Sequence, residues 1–281
     1  MAGSQHDHCE CYSRPGTSNS KERKLTSPFE RHNIAHLSPS SLNLWAAEPA
    51  LWCCEKLLGH KQPASAIMAR GSAVEAGIHH ALLGGAADFA EMMAFKDYDG
   101  RMALSPDPRR EEQRKLLPAF IKFGAVAIEA ELQLAPIGYQ ERIEVRLGAV
   151  PVPLIGYIDW RFDGGEIVDL KTTERFPSRL TIAHRRQGAL YKAAHANHRM
   201  RFIYVKPSAG KDGRATQWVE VTADDMRQGL IELECIASAL GRFLALSGDP
   251  RELTGLTTPD YDSFYWSSAA MRALGKTVFG F

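Results

Sequence analysis

The chain has 281 residues, 44% of them apolar, with 34 Lys and Arg against 33 Asp and Glu. A sizeable core can form, yet no run approaches the ~18 apolar residues of a membrane span. The near-neutral balance excludes a surface coated in positive charge for non-specific nucleic-acid binding, though not a local basic channel.

Residues 1–37 are polar and rich in Ser, His, Lys and Arg, and read as a disordered arm. Its "HDHCEC" offers His6, His8, Cys9 and Cys11 as soft-metal ligands, but four donors within six residues cannot easily wrap a tetrahedral ion. From residue 38 to 281 a single domain is expected, without a linker or an internal repeat. "LSPSSLNLW" predicts a helix capped by Ser38 or Ser40, and "RGSAVEAGIHHALLG" a second from Arg70 to Gly84. Leu116, Leu117, Phe120, Ile121, Val126 and Ile128 recur at helical spacing and predict one long amphipathic helix from about Pro108 to Leu134.

"YQERIEVRLG" alternates Ile143, Val145 and Leu147 with charged residues, as a half-solvated strand would. A hairpin, "GYIDWRFDGGEIVDLKTTE", follows, then a helix around "RRQGALYKAAHA". "RFIYVKP" and "TQWVEVT" read as strands, and "ADDMRQGLIELECIASALGRFLALSG" as a long helix. This order predicts an α/β fold with a small mixed β-sheet flanked by helices. Five cysteines, Cys9, Cys11, Cys53, Cys54 and Cys235, have no framework spacing. With no signal-peptide pattern at the start, they suit a reduced, cytoplasmic protein with no membrane partner.

The hairpin carries acids where strands should be apolar. Asp159 sits among Tyr157, Ile158, Trp160 and Phe162; Asp169 and Lys171 sit among Ile167, Val168 and Leu170. If Asp163-Gly164-Gly165 is a three-residue loop, Phe162 faces Glu166, Asp159 faces Asp169 and Tyr157 faces Lys171. Both carboxylates and the ammonium then share one face, whereas a two-residue loop would split the acids. Facing carboxylates about 5 Å apart are destabilising, more so in apolar surroundings. Lys171 offsets part of that repulsion, and a hard divalent cation, Mg2+ or Mn2+, would offset more. The plainer reading of the same residues is a surface hairpin with ordinary salt bridges.

Gly71-x-x-x-Glu75, "GYID" ending at Asp159, "VDLK" with Asp169 and Lys171, and Gln187-x-x-x-Tyr191 occur in that order. The set resembles the PD-(D/E)XK nuclease superfamily, above all its RecB-type and phage lambda-exonuclease-like branch, over roughly residues 38 to 230. The resemblance implies a restriction-endonuclease-like core that hydrolyses DNA from its ends in recombination or repair. It implies that Asp159, Asp169, Glu75 and the Leu170 carbonyl hold Mg2+ or Mn2+, with Lys171 catalytic. Many relatives carry His where this chain has Glu75, which is read as a metal-holding or water-positioning residue; His79, one turn further, is a weaker candidate, read first as a partly buried helix histidine without a role. Gln187 and Tyr191 would line the DNA path and support the site, with Arg186, Arg179, Arg185 and Lys192 as candidate phosphate contacts. DNA, a single-strand-annealing recombination protein and further copies of the chain are the partners it suggests. Some RecB-branch nucleases hold an iron–sulfur cluster through three late cysteines; only Cys235 lies late here, so no cluster is expected. "LGKT" at Leu274–Thr277 lacks the earlier glycine of a phosphate-binding loop, having Ala270 there, so no ATP is expected. A restriction- or Holliday-junction-type endonuclease and a non-catalytic DNA-binding module are the alternatives.

Overall fold

The computed structural model describes residues 27–281. Helix α1 (Pro28–Arg31) starts at a capping box between Ser27 and Glu30. Residues 28–37, placed in the arm by composition, are instead packed. Phe29 and Leu37 are buried, the His32 ring bonds to the carbonyls of Leu244 and Ser247, and Leu37 bridges Leu154. A few anchors suffice because distant elements supply the other half of each contact, which local composition does not register. The expectations for residues 1–26, "HDHCEC" included, lie outside the described residues.

Helix α2 (Pro39–Ala47) is capped by Ser38, which accepts from the Ser41 amide, as its sequence predicts. Helix α3 (Pro49–Trp52) runs into a π-turn at Cys53–Leu57. Helices α4 (Ala66–Leu82) and α5 (Ala87–Met102) follow. They pack closely at Gly77, where a Cβ would lie 2.7 Å from Ile121 Cδ1 and 3.2 Å from the Ala90 oxygen. The expected long helix is two, α6 (Arg110–Lys115) and α7 (Leu117–Leu132). Pro118 has no N–H to continue the earlier helix and is suited to the first turn of a new one. Val126, expected on the apolar face, is 60% exposed.

Five strands form one sheet in sequence order: β1 (Pro136–Val145), β2 (Leu154–Phe162), β3 (Glu166–Thr172), β4 (Arg199–Val205) and β5 (Thr216–Glu220). Neighbours are antiparallel except β3 and β4, which are parallel and joined through helix α8 (Ile182–Ala194). Helices α9 (Ala223–Ala245), α10 (Pro250–Gly255) and α11 (Ala269–Phe279) complete the chain. One core cluster joins Ile158, Ile167 and Phe202 to Leu190 of α8 and Leu233 and Leu240 of α9. Another joins Trp160, Val168 and Ile203 to Val74 of α4, Tyr98 of α5 and Phe120 of α7. Helices therefore cover both faces of a small mixed sheet, as the element order predicts. Among the described residues no helix is long and apolar enough to cross a membrane.

Candidate active site

The hairpin has the register of a three-residue loop. Phe162 pairs with Glu166, and Gly164 and Gly165 both take positive φ, +81° and +84°. Ladder pairing stops at Trp160 and Val168, although β2 begins at Leu154 and β3 continues to Thr172. Buried backbone groups need partners, and side chains provide them beyond that point. The Leu170 amide donates to Asp159 Oδ2 at 2.8 Å, and the Tyr191 hydroxyl donates to the Tyr157 carbonyl at 2.6 Å. A carboxylate and a phenol thus take two backbone groups at the open end of the hairpin.

Asp169 is 1% exposed on β3. Its Oδ1 accepts from Gln187 Nε2 at 2.9 Å, and that amide also reaches the Tyr191 hydroxyl at 2.8 Å. One turn of α8 separates Gln187 from Tyr191, so the helix fixes both the carboxylate and the neighbouring strand. The Lys171 ammonium forms an ion pair with Asp169 Oδ2. That oxygen is buried yet has no donor in hydrogen-bond geometry, so the lysine lies close without saturating it. Lys171 Nζ also sits 5.4 Å from the Phe202 ring centre. Across the parallel ladder from Lys171 is Tyr204, whose hydroxyl lies 2.7 Å from His184 Nδ1.

Glu75 enters from α4. Gly71 is not a steric necessity for its approach, because a Cβ there would make only a 3.8 Å contact with Thr172 Oγ1. The buried Arg70 ties α4 to the end of β3 instead, donating to Thr172 Oγ1 at 3.3 Å and to Gln113. Glu75 accepts from the Gln140 side-chain amide, which also reaches Asp159 Oδ1 at 3.3 Å. His79 does not join the carboxyls: its ring stacks on Tyr139, centroids 3.7 Å apart and planes 5° from parallel.

The cationic candidates are dispersed. Arg186 bonds to Glu232 and Asn43, each at 2.9 Å, and Arg185 pairs with the same Glu232. These bonds hold Arg186 between α2, α8 and α9 rather than at the carboxyls. Lys192 Nζ reaches the His198 carbonyl at 3.4 Å, while Arg179 is exposed. Beside Gln187 lies a cavity of about 580 Å³ that includes Ser38, Ser40, Tyr157, His184 and Tyr191 in its wall.

All three carboxyls titrate high. Burial raises Asp159 well above the carboxylate range, reinforced by the charges of Asp169 and Glu75 and opposed by Lys171 and the Leu170 amide. Asp169 is raised by burial, with Lys171 opposing. Burial pushes Glu75 up to about 7, with the Gln140 hydrogen bond opposing and the Asp169 charge adding to the rise. Burial and the Lys171 charge lower His184 to about 4, which keeps it neutral. A site in which every acid resists ionising is short of positive charge.

Among the described residues no three His, Cys, Asp or Glu side chains converge closely enough to hold an ion as they stand. The Gln140 amide already serves Glu75 and Asp159, and Lys171 serves Asp169. The donor chemistry nevertheless fits a hard divalent cation. Asp159, Asp169, Glu75 and the Leu170 carbonyl are oxygen donors, and Asp169 Oδ2 retains acceptor capacity. The cysteines differ in kind. Cys53 and Cys54 are buried, and burial pushes their thiols up to about 12 and about 11, so neither is a ready thiolate.

Sequence reasoning missed Gln140, Arg70, His184 and Tyr204. Arg70 lies on a helix far from the hairpin in sequence, and Gln140, though on the neighbouring strand β1, meets the acids only through its side chain. His184 was legible in principle, since it precedes Gln187 by three positions on α8 and shares its side of the helix.

The chain has a mixed α/β fold with a five-stranded sheet flanked by helices. It resembles the crystal structure described as "Putative exonuclease" from Eubacterium rectale, with a TM-score of 0.56 and 14% identity over 92% of this chain and 94% of that one. A structure of SSO0001 aligns with a TM-score of only 0.32 and 13% identity over 68% of this chain and 83% of that one. No protein-family model and no curated protein matches the sequence.

Proposed function

We propose that the chain is a Mg2+- or Mn2+-dependent deoxyribonuclease that shortens DNA from its ends. The observation that carries this reading is the convergence of Asp159, Asp169 and Lys171 where the hairpin ladder stops, on a fold like that of a protein described as an exonuclease. The same likeness and the ordered motifs favour DNA as substrate.

The residues divide the work. Asp159, anchored by the Leu170 amide, and Asp169, anchored by Gln187, would hold the cation with Glu75 and the Leu170 carbonyl. A hard cation held there would lower the pKa of bound water and offset phosphate charge. Lys171 places its ammonium beside Asp169, where it stabilises charge on the phosphoryl oxygens as water adds and the ester P–O bond breaks. Tyr191 acts one step back, through Gln187 and the Tyr157 carbonyl. A grip on backbone phosphates positions DNA without reading its bases, which supports cleavage with little sequence preference.

The test is incubation of linear and covalently closed circular DNA with the protein and Mg2+ or Mn2+. Progressive shortening of the linear form with survival of the circle is expected. Discrete internal fragments from the circle would favour an endonuclease. Binding without cleavage of either would favour a non-catalytic module.

A further inference from the structure

Gln140 is held in a conformation that strands seldom adopt. It lies inside β1 with φ at +49°, in the left-handed region that is costly for a residue with a Cβ. Its neighbours keep one register, Tyr139 with Trp160 and Glu141 with Ile158, so no residue is inserted at this point. Continuing that register sets Gln140 opposite Asp159. Its Nε2 donates to Glu75 on α4 and to Asp159 Oδ1, 3.3 Å away, on β2. An ionised carboxylate only accepts, so whenever either acid is charged the nitrogen of that amide, not its oxygen, faces it. Gln140 is exposed, which leaves its side chain room to swing outward.

An amide NH2 between two carboxylates does weakly what a cation does strongly, giving partial positive charge to oxygens that would otherwise repel. The same group is unsuited to stay once a cation takes those oxygens, because its protons would then face positive charge. We infer that Gln140 is a positioning residue that clamps Glu75 to Asp159 in the metal-free protein and is displaced when a divalent cation binds. This rests on the cation-dependent reading above. It differs from a ligand role for Gln140 in sign: a clamp competes with the ion, whereas a ligand assists it.

The sign is measurable without catalysis. Mn2+ binding to the full chain, free of DNA, can be followed by electron paramagnetic resonance and calorimetry for wild type, Gln140→Leu and Gln140→Lys. Gln140→Leu should bind Mn2+ roughly tenfold tighter, the equivalent of one hydrogen bond to a charged group, and melt at lower temperature in chelator. Gln140→Lys places a full charge on the same acids and should bind Mn2+ at least roughly tenfold more weakly. Weaker binding by Gln140→Leu would make Gln140 an oxygen ligand and overturn the clamp, and unchanged binding would overturn it too. A folded wild-type protein that binds no Mn2+ would remove the cation-dependent reading itself, and the clamp with it.

Discussion

Replacing Glu75 with Gln tests whether the acids at the hairpin are held together against their own repulsion. Burial raises Glu75 from its ordinary 4.5 to about 7. A raised acid stabilises the fold only while protonated. Its contribution is complete below about pH 4.5, declines as the unfolded chain ionises, and is lost once pH passes about 7. Each pKa unit corresponds to about 1.4 kcal/mol, so the loss is at most about 3 kcal/mol. The substituted side chain would still accept from the Gln140 amide and carries no charge at any pH. Relief of Asp159, which Glu75 also raises, acts in the same direction. In chelator, Glu75→Gln should therefore match wild type near pH 4.5 and exceed it near pH 8. At about 2–4 °C per kcal/mol for a chain of this size, the Glu75 contribution alone amounts to roughly 6–12 °C in Tm. Circular-dichroism melts of both proteins across that range decide the matter. Parallel curves would refute the claim that Glu75 is buried at the expense of its charge. His184, lowered to about 4, slopes the other way between pH 6.5 and 4 in both proteins and cancels in the difference.

Tyr191→Phe removes the donor to the Tyr157 carbonyl and the acceptor for Gln187, and should cost about 1–3 kcal/mol in urea unfolding, with lower activity, while a variant as stable as wild type would show that β2 needs no phenol. Gly156→Ala sets a Cβ 2.6 Å from Tyr191 Cε1; about 1–3 kcal/mol of lost stability is expected, and crystallography should show the Tyr191 ring displaced. Lys171→Ala should abolish cleavage while Mn2+ binding, read by calorimetry, persists; digestion at the wild-type rate would move the chemistry away from this hairpin.

Legibility tracked how local each signal was. The hairpin register could be read because Asp163-Gly164-Gly165 supplies its own turn chemistry, and the loop length decides which side chains face each other. The Gln187–Tyr191 spacing was readable because α8 encodes it within four residues. Gln140 was not, since a polar residue on an exposed strand looks solvated until Glu75 and Asp159 arrive from other elements. The break between α6 and α7 was present at Pro118 but masked by apolar periodicity running through it. Arg186 looked like a free cation because its partners, Glu232 and Asn43, lie far off in sequence.

The Leu170 amide donates to a side-chain carboxylate rather than to a strand carbonyl. An amide proton's chemical shift follows the charge of its acceptor, so this backbone group should report on Asp159 the way an indicator dye reports on a solution. Protonating Asp159 or engaging it with a cation would shift one cross-peak in a 15N–1H spectrum, with no substrate present and no side chain altered. The place where the ladder stops thus carries its own built-in probe, and ion occupancy and carboxyl ionisation can be titrated there separately from catalysis.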